Sequence, residues 1–330
     1  MPQPDQRKIA YLFGAGATNA ELSNIGVDLD QQGLLISNVT RRVTIKAKEN
    51  PQFLEHHRIF LERAADSSNI ELFISLIEDN AQDIPQAVTV VEKLKEMVEE
   101  DIRSILTPER VSEFYLHKSL FELHKHNESE QIIGLISLNY DTVLDKAYES
   151  FYGEPDYNLA TQRGDIGEPK PPLLKLHGSF SWDAVVINGR PRKIPIIPMG
   201  INKDYLRLPY SFIWGRALEV LAACDVLRVI GCSLSQNDVQ LVDLLFKAHL
   251  ERGAALEIQI ISSEETGQEI RGRYDFFPKI VTAEKIEETL LPDAKRGTNV
   301  FKEWLRAKGR KVLKEDERIQ ATEFIKKVIL

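Results

Sequence analysis

Six short apolar runs, at residues 9–13, 132–138, 173–176, 194–197, 226–230 and 257–261, are each bounded by glycine, proline or polar residues. Apolar throughout rather than alternating, they have the pattern of strands covered on both faces. Between most of them, apolar residues recur with helical spacing, over 141–151, 212–223 and 237–252. Strand and helix in alternation predict an α/β chain with a Rossmann-like, doubly wound parallel sheet, which holds its ligand in a crevice at the carboxyl ends of the strands. The chemistry should therefore sit in the turns that leave each strand.

Residues 33–127 interrupt the alternation. They hold no strand pattern, while Ala87, Val90, Val91, Leu94, Met97, Val98, Ile102 and Ile105 recur at helical spacing, which predicts a helical insertion between the first two strands. Residues 291–330 are rich in Lys and Glu, with Val300, Trp304, Leu305, Phe324 and Ile325 among them, and predict C-terminal helices for packing or contact between subunits. The expected division is a discontinuous Rossmann core of residues 1–32 and 128–290, an insertion of 33–127 and a helical segment of 291–330.

A chain of 330 residues with 43% hydrophobic and 28% charged residues can bury a proper core. Its formal net charge of −8 speaks against direct nucleic-acid binding. Two cysteines, Cys224 and Cys232, can build neither a disulfide framework nor a four-cysteine zinc site, and a reducing cytoplasm is expected, with no metal. The opening MPQPDQRK lacks the apolar core of a signal peptide, and no run approaches the roughly 20 apolar residues that cross a bilayer, so no membrane partner is expected either.

Four turns, and more loosely a fifth, carry candidate residues. Gly14, Ala15 and Gly16 leave the first run ahead of a helix start at Thr18-Asn19-Ala20. They make either a phosphate loop, with backbone donors at a helix N-terminus, or an ordinary strand-to-helix turn, since Asn19 stands where the dinucleotide fingerprint has its third glycine. Asn139 and Asp141 follow the second run, as helix caps or as groups facing the same crevice. His177, beside Gly178 at the end of the third, is the histidine placed to exchange protons near neutral pH, whereas His117, His124 and His126 lie in a polar helical or loop stretch without a ligand set. Gly231 and Ser233 follow 226–230, with Asn237 or Asp238 capping the next helix. Past the next run, Ser262 and Glu264 are placed to reach an adenine ribose or simply form a loop. Turns of this kind at the ends of successive strands describe one crevice.

The ordered set GAGAT, SLNYD, KLHGS and VIGCSL, followed by IISSE, resembles the sirtuin NAD-binding core, and most of all the bacterial sirtuin-like NAD hydrolases of anti-phage defence, over roughly residues 9–30 and 130–265. The resemblance implies that Gly14, Ala15, Gly16 and Thr18 hold phosphates and that Asn139 and Asp141 surround the nicotinamide ribose. It makes His177 catalytic, gives Gly231 and Ser233 the adenosine side, and offers Ser262 and Glu264 as a looser ribose contact. NAD+ would then be substrate. The chain lacks the four-cysteine zinc module and the proline-aspartate-phenylalanine-arginine segment of the deacetylases, which favours water as the nucleophile. Family habit further implies a homo-oligomer and a HerA-type translocase ATPase as partner. The alternatives are an NAD-dependent protein deacylase or ADP-ribosyltransferase, and a non-enzymatic sensor of NAD or an ADP-ribose derivative.

Overall fold

The computed structural model describes residues 6–49, 69–74, 85–125, 129–159, 170–182, 185–187, 190–192, 205–206, 208–235, 238–253, 256–262 and 264–282. Its strands are β1 (Arg7–Phe13), β2 (Glu130–Ser137), β3 (Leu173–Lys175), β4 (Val185–Ile187), β5 (Arg190–Arg192), β6 (Val226–Ile230), β7 (Glu257–Ile261) and β8 (Ile280–Thr282). Between β1 and β2 run α1 (Ala15–Asn24), α2 (Leu29–Gln32), α3 (Ile36–Glu49), α4 (Pro85–Ile105), α5 (Pro108–Ser112) and α6 (Leu116–Lys125). Later come α7 (Val143–Tyr152), α8 (Tyr210–Ala223), α9 (Val239–Arg252) and α10 (Glu264–Arg273).

Six strands form one sheet in the order β3-β2-β1-β6-β7-β8, and every pairing in it is parallel. β4 and β5 form a separate antiparallel pair. The chain winds outward from β1 through β2 to β3, then returns to the other side of β1 and winds outward again through β6 and β7 to β8. The reversal sits between β1 and β6, and their carboxyl ends open on the crevice that a doubly wound sheet offers a ligand.

Both faces of the sheet are covered, which is why its strands read as continuous apolar runs. Ile9, Tyr11 and Phe13 pack with residues of α1, α6 and α7. Ala10 and Leu12 point the other way, into a cluster with α8 and α9. Helix starts shift slightly from their expected places. α7 begins at Val143 rather than 141 because Asp141 Oδ1 accepts the Val143 N–H at 2.9 Å, keeping residues 139–142 outside the helix. β4, β5 and β8 were not read as strands from the sequence. The run at 194–197 and the terminal segment 291–330 lie outside the described residues.

Val90, Val91, Leu94, Met97, Val98, Ile102 and Ile105 are all buried on α4. They share a core with Val39, Val43 and Ala47 of α3 and reach Tyr140, Val143 and Phe180 beside the sheet. Asp101 of α4, 1% exposed, pairs with Arg42 and Lys46 of α3 at 2.8 and 3.0 Å. A buried carboxylate between two cations welds the two helices together.

His117 and His124 lie on the buried face of α6, not on a polar surface. Glu21 of α1 accepts the backbone N–H groups of Tyr115, Leu116 and His117, and His117 Nδ1 donates to it at 2.7 Å. This carboxylate caps the start of α6 from a distant part of the chain. Arg228 donates to the Tyr11 hydroxyl at 2.8 Å, and that hydroxyl lies 2.6 Å from His124 Nε2, to which it donates. The stretch reads as polar because its polar groups find their partners far away in sequence. No helix among the described residues is long and apolar enough to cross a membrane.

Candidate functional site

Because β1 and β6 are neighbours, the loops that leave them touch. Gly14 N–H donates to Ile230 O at 3.0 Å and Gly16 N–H to Gly231 O at 2.9 Å. A Cβ on Gly14 or on Gly16 would lie 2.7 Å from Gly231 O, and one on Gly231 would lie 2.0 Å from Ala17 N. Gly231 also has φ +61°, in the left-handed region. The three glycines are therefore demanded by backbone packing across the reversal point, whatever ligand enters. Two of the N–H groups that the phosphate-loop reading would offer are already bonded to carbonyls of the facing strand and loop. Asn19, in the place of the third fingerprint glycine, accepts the Leu34 N–H at 2.6 Å and ties α1 to the chain that leads into α3.

The loop after β2 lies against the glycine turn. Asn139 Nδ2 donates to Gly14 O and to Thr18 Oγ1, both at 3.1 Å. The Thr18 hydroxyl donates in turn to Asp141 Oδ2 at 3.0 Å. Both amide hydrogens of Asn139 are used, which fixes its orientation and leaves Oδ1 as the acceptor for a ligand. Asp141 is fully engaged, Oδ2 by Thr18 and Oδ1 by Val143 N–H. Burial pushes its carboxyl above the ordinary range, against the opposing pull of Lys175. Lys175, completely buried, donates to the Asp141 carbonyl and to Asp145 Oδ2, so the end of β3 pins the loop from beneath.

His177 enters from the turn after β3. Its Nδ1 lies 3.2 Å from Leu138 O, and since a carbonyl only accepts, Nδ1 carries the proton and Nε2 is the basic nitrogen. Asp238 Oδ2 lies 3.6 Å from that Nε2, with side chains only 9% and 12% exposed. Asp238 does occupy the N-cap position of α9, as its sequence suggests, but its side chain makes no cap hydrogen bond there. The Tyr140 ring lies 6.1 Å from the His177 ring and stacks on Phe180 at 5.7 Å.

These groups share a cavity of about 650 Å³. Gly14, Ala15, Gly16, Asn139, Asp141, His177, Gly231 and Ser233 all line it. Thr18, 1% exposed, stands behind that lining, holding Asn139 and Asp141. Ser262 is buried and is not among the described lining residues; Glu264 is the first residue of α10, and Thr266 of that helix reaches the cavity. Three contributions were missed by sequence reasoning. Asp238 was read as a cap, the pinning role of Lys175 within the third strand went unseen, and the helices between β1 and β2 were read as an insertion, although Leu34, Ile36, Leu72 and Ile102 form a wall of the cavity. Among the described lining residues there are three carboxylates, Glu71, Asp141 and Asp238, and no Lys or Arg. Among the described residues, no group of three or more His, Cys, Asp or Glu is placed to hold a metal ion.

Residues 134–273 match a SIR2-like domain. The span runs from within β2 to the end of α10 and contains Asn139, His177, Gly231 and Asp238, while the glycine turn after β1 and helices α1 to α6 precede it. The chain is thus an α/β protein of Rossmann-like fold in which residues 134–273 are similar to a SIR2-like domain. Solved structures similar to it include a Sir2 homologue–NAD complex, at 14% identity and a TM-score of 0.36, covering 91% of this chain and 90% of that one. Another is a Sir2–p53 peptide–NAD+ complex, at 13% identity and a TM-score of 0.37, covering 86% and 94%. No curated protein matches the chain.

Proposed function

We propose that the protein is a sirtuin-like NAD+ hydrolase that cuts the nicotinamide–ribose bond to give nicotinamide and ADP-ribose. What supports this reading is one pairing on the cavity wall: Asn139 with its amide oxygen left to accept, and His177 with Nε2 as a base. The bond breaks through an oxocarbenium-like state, and the pyridinium leaving group is already cationic and needs no general acid. A site for this reaction has to position the sugar and a water and to accept a proton. Asn139 Oδ1 orients the ribose and the attacking water, and His177 Nε2 takes a proton from that water or from a ribose hydroxyl. Asp141 holds Thr18 and Asn139 in place and sets a carboxylate near the cationic ribose. The phosphates lie at Gly14, Ala15 and Gly16, the adenosine side at Gly231 and Ser233, and Ser262 and Glu264 near its ribose.

The resemblance extends the reading to a role: cytoplasmic depletion of NAD+ in anti-phage defence, restrained by homo-oligomerisation or by a HerA-type translocase ATPase. The test is to incubate the purified protein with NAD+, alone and with such an ATPase, and follow nicotinamide and ADP-ribose by chromatography. Release should need no acylated peptide and should fall by about a hundredfold or more in Asn139→Ala and His177→Ala. Release only when an acylated or acceptor protein is supplied would replace the hydrolase with a deacylase or ADP-ribosyltransferase. Binding of NAD+ with no release at all would make the chain a sensor.

A further inference from the structure

We propose that Asp238 is a positioning residue for His177, its carboxylate aiming the imidazole across the cavity and accepting a hydrogen bond from Nε2 once that nitrogen is protonated. The proposal rests on the hydrolase reading for its role in turnover, and on geometry for the pairing itself.

With Nδ1 committed to Leu138 O, Nε2 is the nitrogen that gains and loses a proton. Asp238 Oδ2 faces it at 3.6 Å. Two acceptors that face each other at this distance make no hydrogen bond while the imidazole is neutral. Protonation turns the same contact into a charge-assisted pair between side chains largely shielded from water. Asp238 is held in that place by the backbone, its own N–H donating to Ser235 O at 3.0 Å and its carbonyl accepting the Val242 N–H at 3.2 Å. Its carboxylate does not cap α9, so helix formation gives no account of its orientation.

Other groups face the imidazole. The Tyr140 ring lies alongside it, and Asp141 from the β2 loop, Cys232 from the β6 loop and Glu71 from the helical residues 70–74 line the same cavity. Asp141 is already committed to Thr18 and Val143. During hydrolysis the water oxygen bonds to the ribose C1′ as the C1′–N1 bond breaks, and the bonding pair leaves with N1 as neutral nicotinamide. The water proton moves to His177 Nε2, where Asp238 stabilises the imidazolium until the proton passes to solvent. One proton is released for each NAD+ consumed.

The experiment is an NMR titration of histidine-labelled full-length protein, with the His177 resonance assigned by its loss in His177→Gln. In Asp238→Asn the His177 midpoint should fall by about one pH unit or more, and Asp238→Glu should restore most of it. For a protein that cleaves NAD+, the acidic limb of the rate profile should move down by the same amount while the plateau rate falls. A His177 midpoint that does not move in Asp238→Asn, with the native spectrum retained elsewhere, overturns the proposal. A midpoint that falls in a protein that never releases nicotinamide upholds the pairing and sinks the hydrolase reading instead. Should Asp238→Asn fail to fold, Asp238→Ser takes its place, where a fall of about one pH unit in the His177 midpoint upholds the pairing and an unmoved midpoint overturns it.

Discussion

Gly231→Ala should be among the most damaging single-methyl additions this chain can receive, and the structure supplies its own control. The added Cβ would lie 2.0 Å from Ala17 N and 2.4 Å from Gly16 C, backbone atoms with no rotamer to escape into. The first turn of α1 would have to retreat by more than an ångström, straining the Gly14 N–H to Ile230 O and Gly16 N–H to Gly231 O bonds. The left-handed backbone costs an alanine about 1–2 kcal/mol. Each weakened hydrogen bond adds up to about 1 kcal/mol, and overpacking typically about 1–3 kcal/mol. Allowing for overlap among these terms, the loss should be at least about 3 kcal/mol, a large share of the ~5–15 kcal/mol that holds most domains. Gly253 has nearly the same conformation, φ +66°, but nothing lies within 4 Å of its Cβ position. Gly253→Ala should therefore show only the conformational part, about 1–2 kcal/mol. Urea unfolding of both variants measures the difference directly. Equal losses for the two would refute the claim that the loops interlock, and would return the glycines of the β1 turn to a ligand-binding explanation alone.

Two further outcomes follow from buried polar groups away from the cavity. Glu21→Ala removes the acceptor for three backbone N–H groups and for His117, and should cost at least about 3 kcal/mol in urea unfolding, with Glu21→Gln costing less because an acceptor oxygen remains. Burial, aided by the charge of Arg228, holds His124 down at about 3. The unfolded chain then binds the extra proton between that value and the ordinary ~6.5, so stability is complete above ~6.5 and is lost as pH falls, by about 2 kcal/mol at pH 5. His124→Gln should flatten this stretch of the stability–pH curve, and a curve identical to wild type would contradict the assignment.

How far the sequence could be read depended on whether a residue's partner was local. The sheet was legible because Ile9–Phe13, Val226–Ile230 and Glu257–Ile261 are continuous apolar runs, and a run covered on both faces announces itself without knowledge of what covers it. Gly14, Gly16 and Gly231 were legible as special, but their reason was not, since it is each other's backbone across more than 200 residues of chain. Asn139 and His177 were found as polar residues following strands. Asp238 was hidden behind a sufficient local explanation, for an aspartate before a helix needs no second purpose. Leu34, Ile36 and Ile102 were hidden for the opposite reason: apolar residues at helical spacing say that a face is covered, without saying whether protein or a cavity covers it.

The charge of the crevice narrows the chemistry that suits it. The phosphate-loop reading expects donors for an anion, yet the Gly14 and Gly16 N–H groups are turned to backbone carbonyls, and the described lining residues include Glu71, Asp141 and Asp238 with no Lys or Arg. Such a wall gains little from a negatively charged reacting centre. It suits a reaction in which positive charge is present from the start at the breaking bond and then spreads onto the sugar. A pyridinium leaving a ribose is that case. In the proposed reading Asn139 Oδ1 faces the sugar, Asp141 holds Thr18 and the loop in place beside it, and His177, backed by Asp238, takes the proton that hydrolysis liberates. On that reading the glycine turns build the crevice that seats the phosphates, and the asparagine- and histidine-bearing loops after β2, β3 and β6 act at the breaking bond.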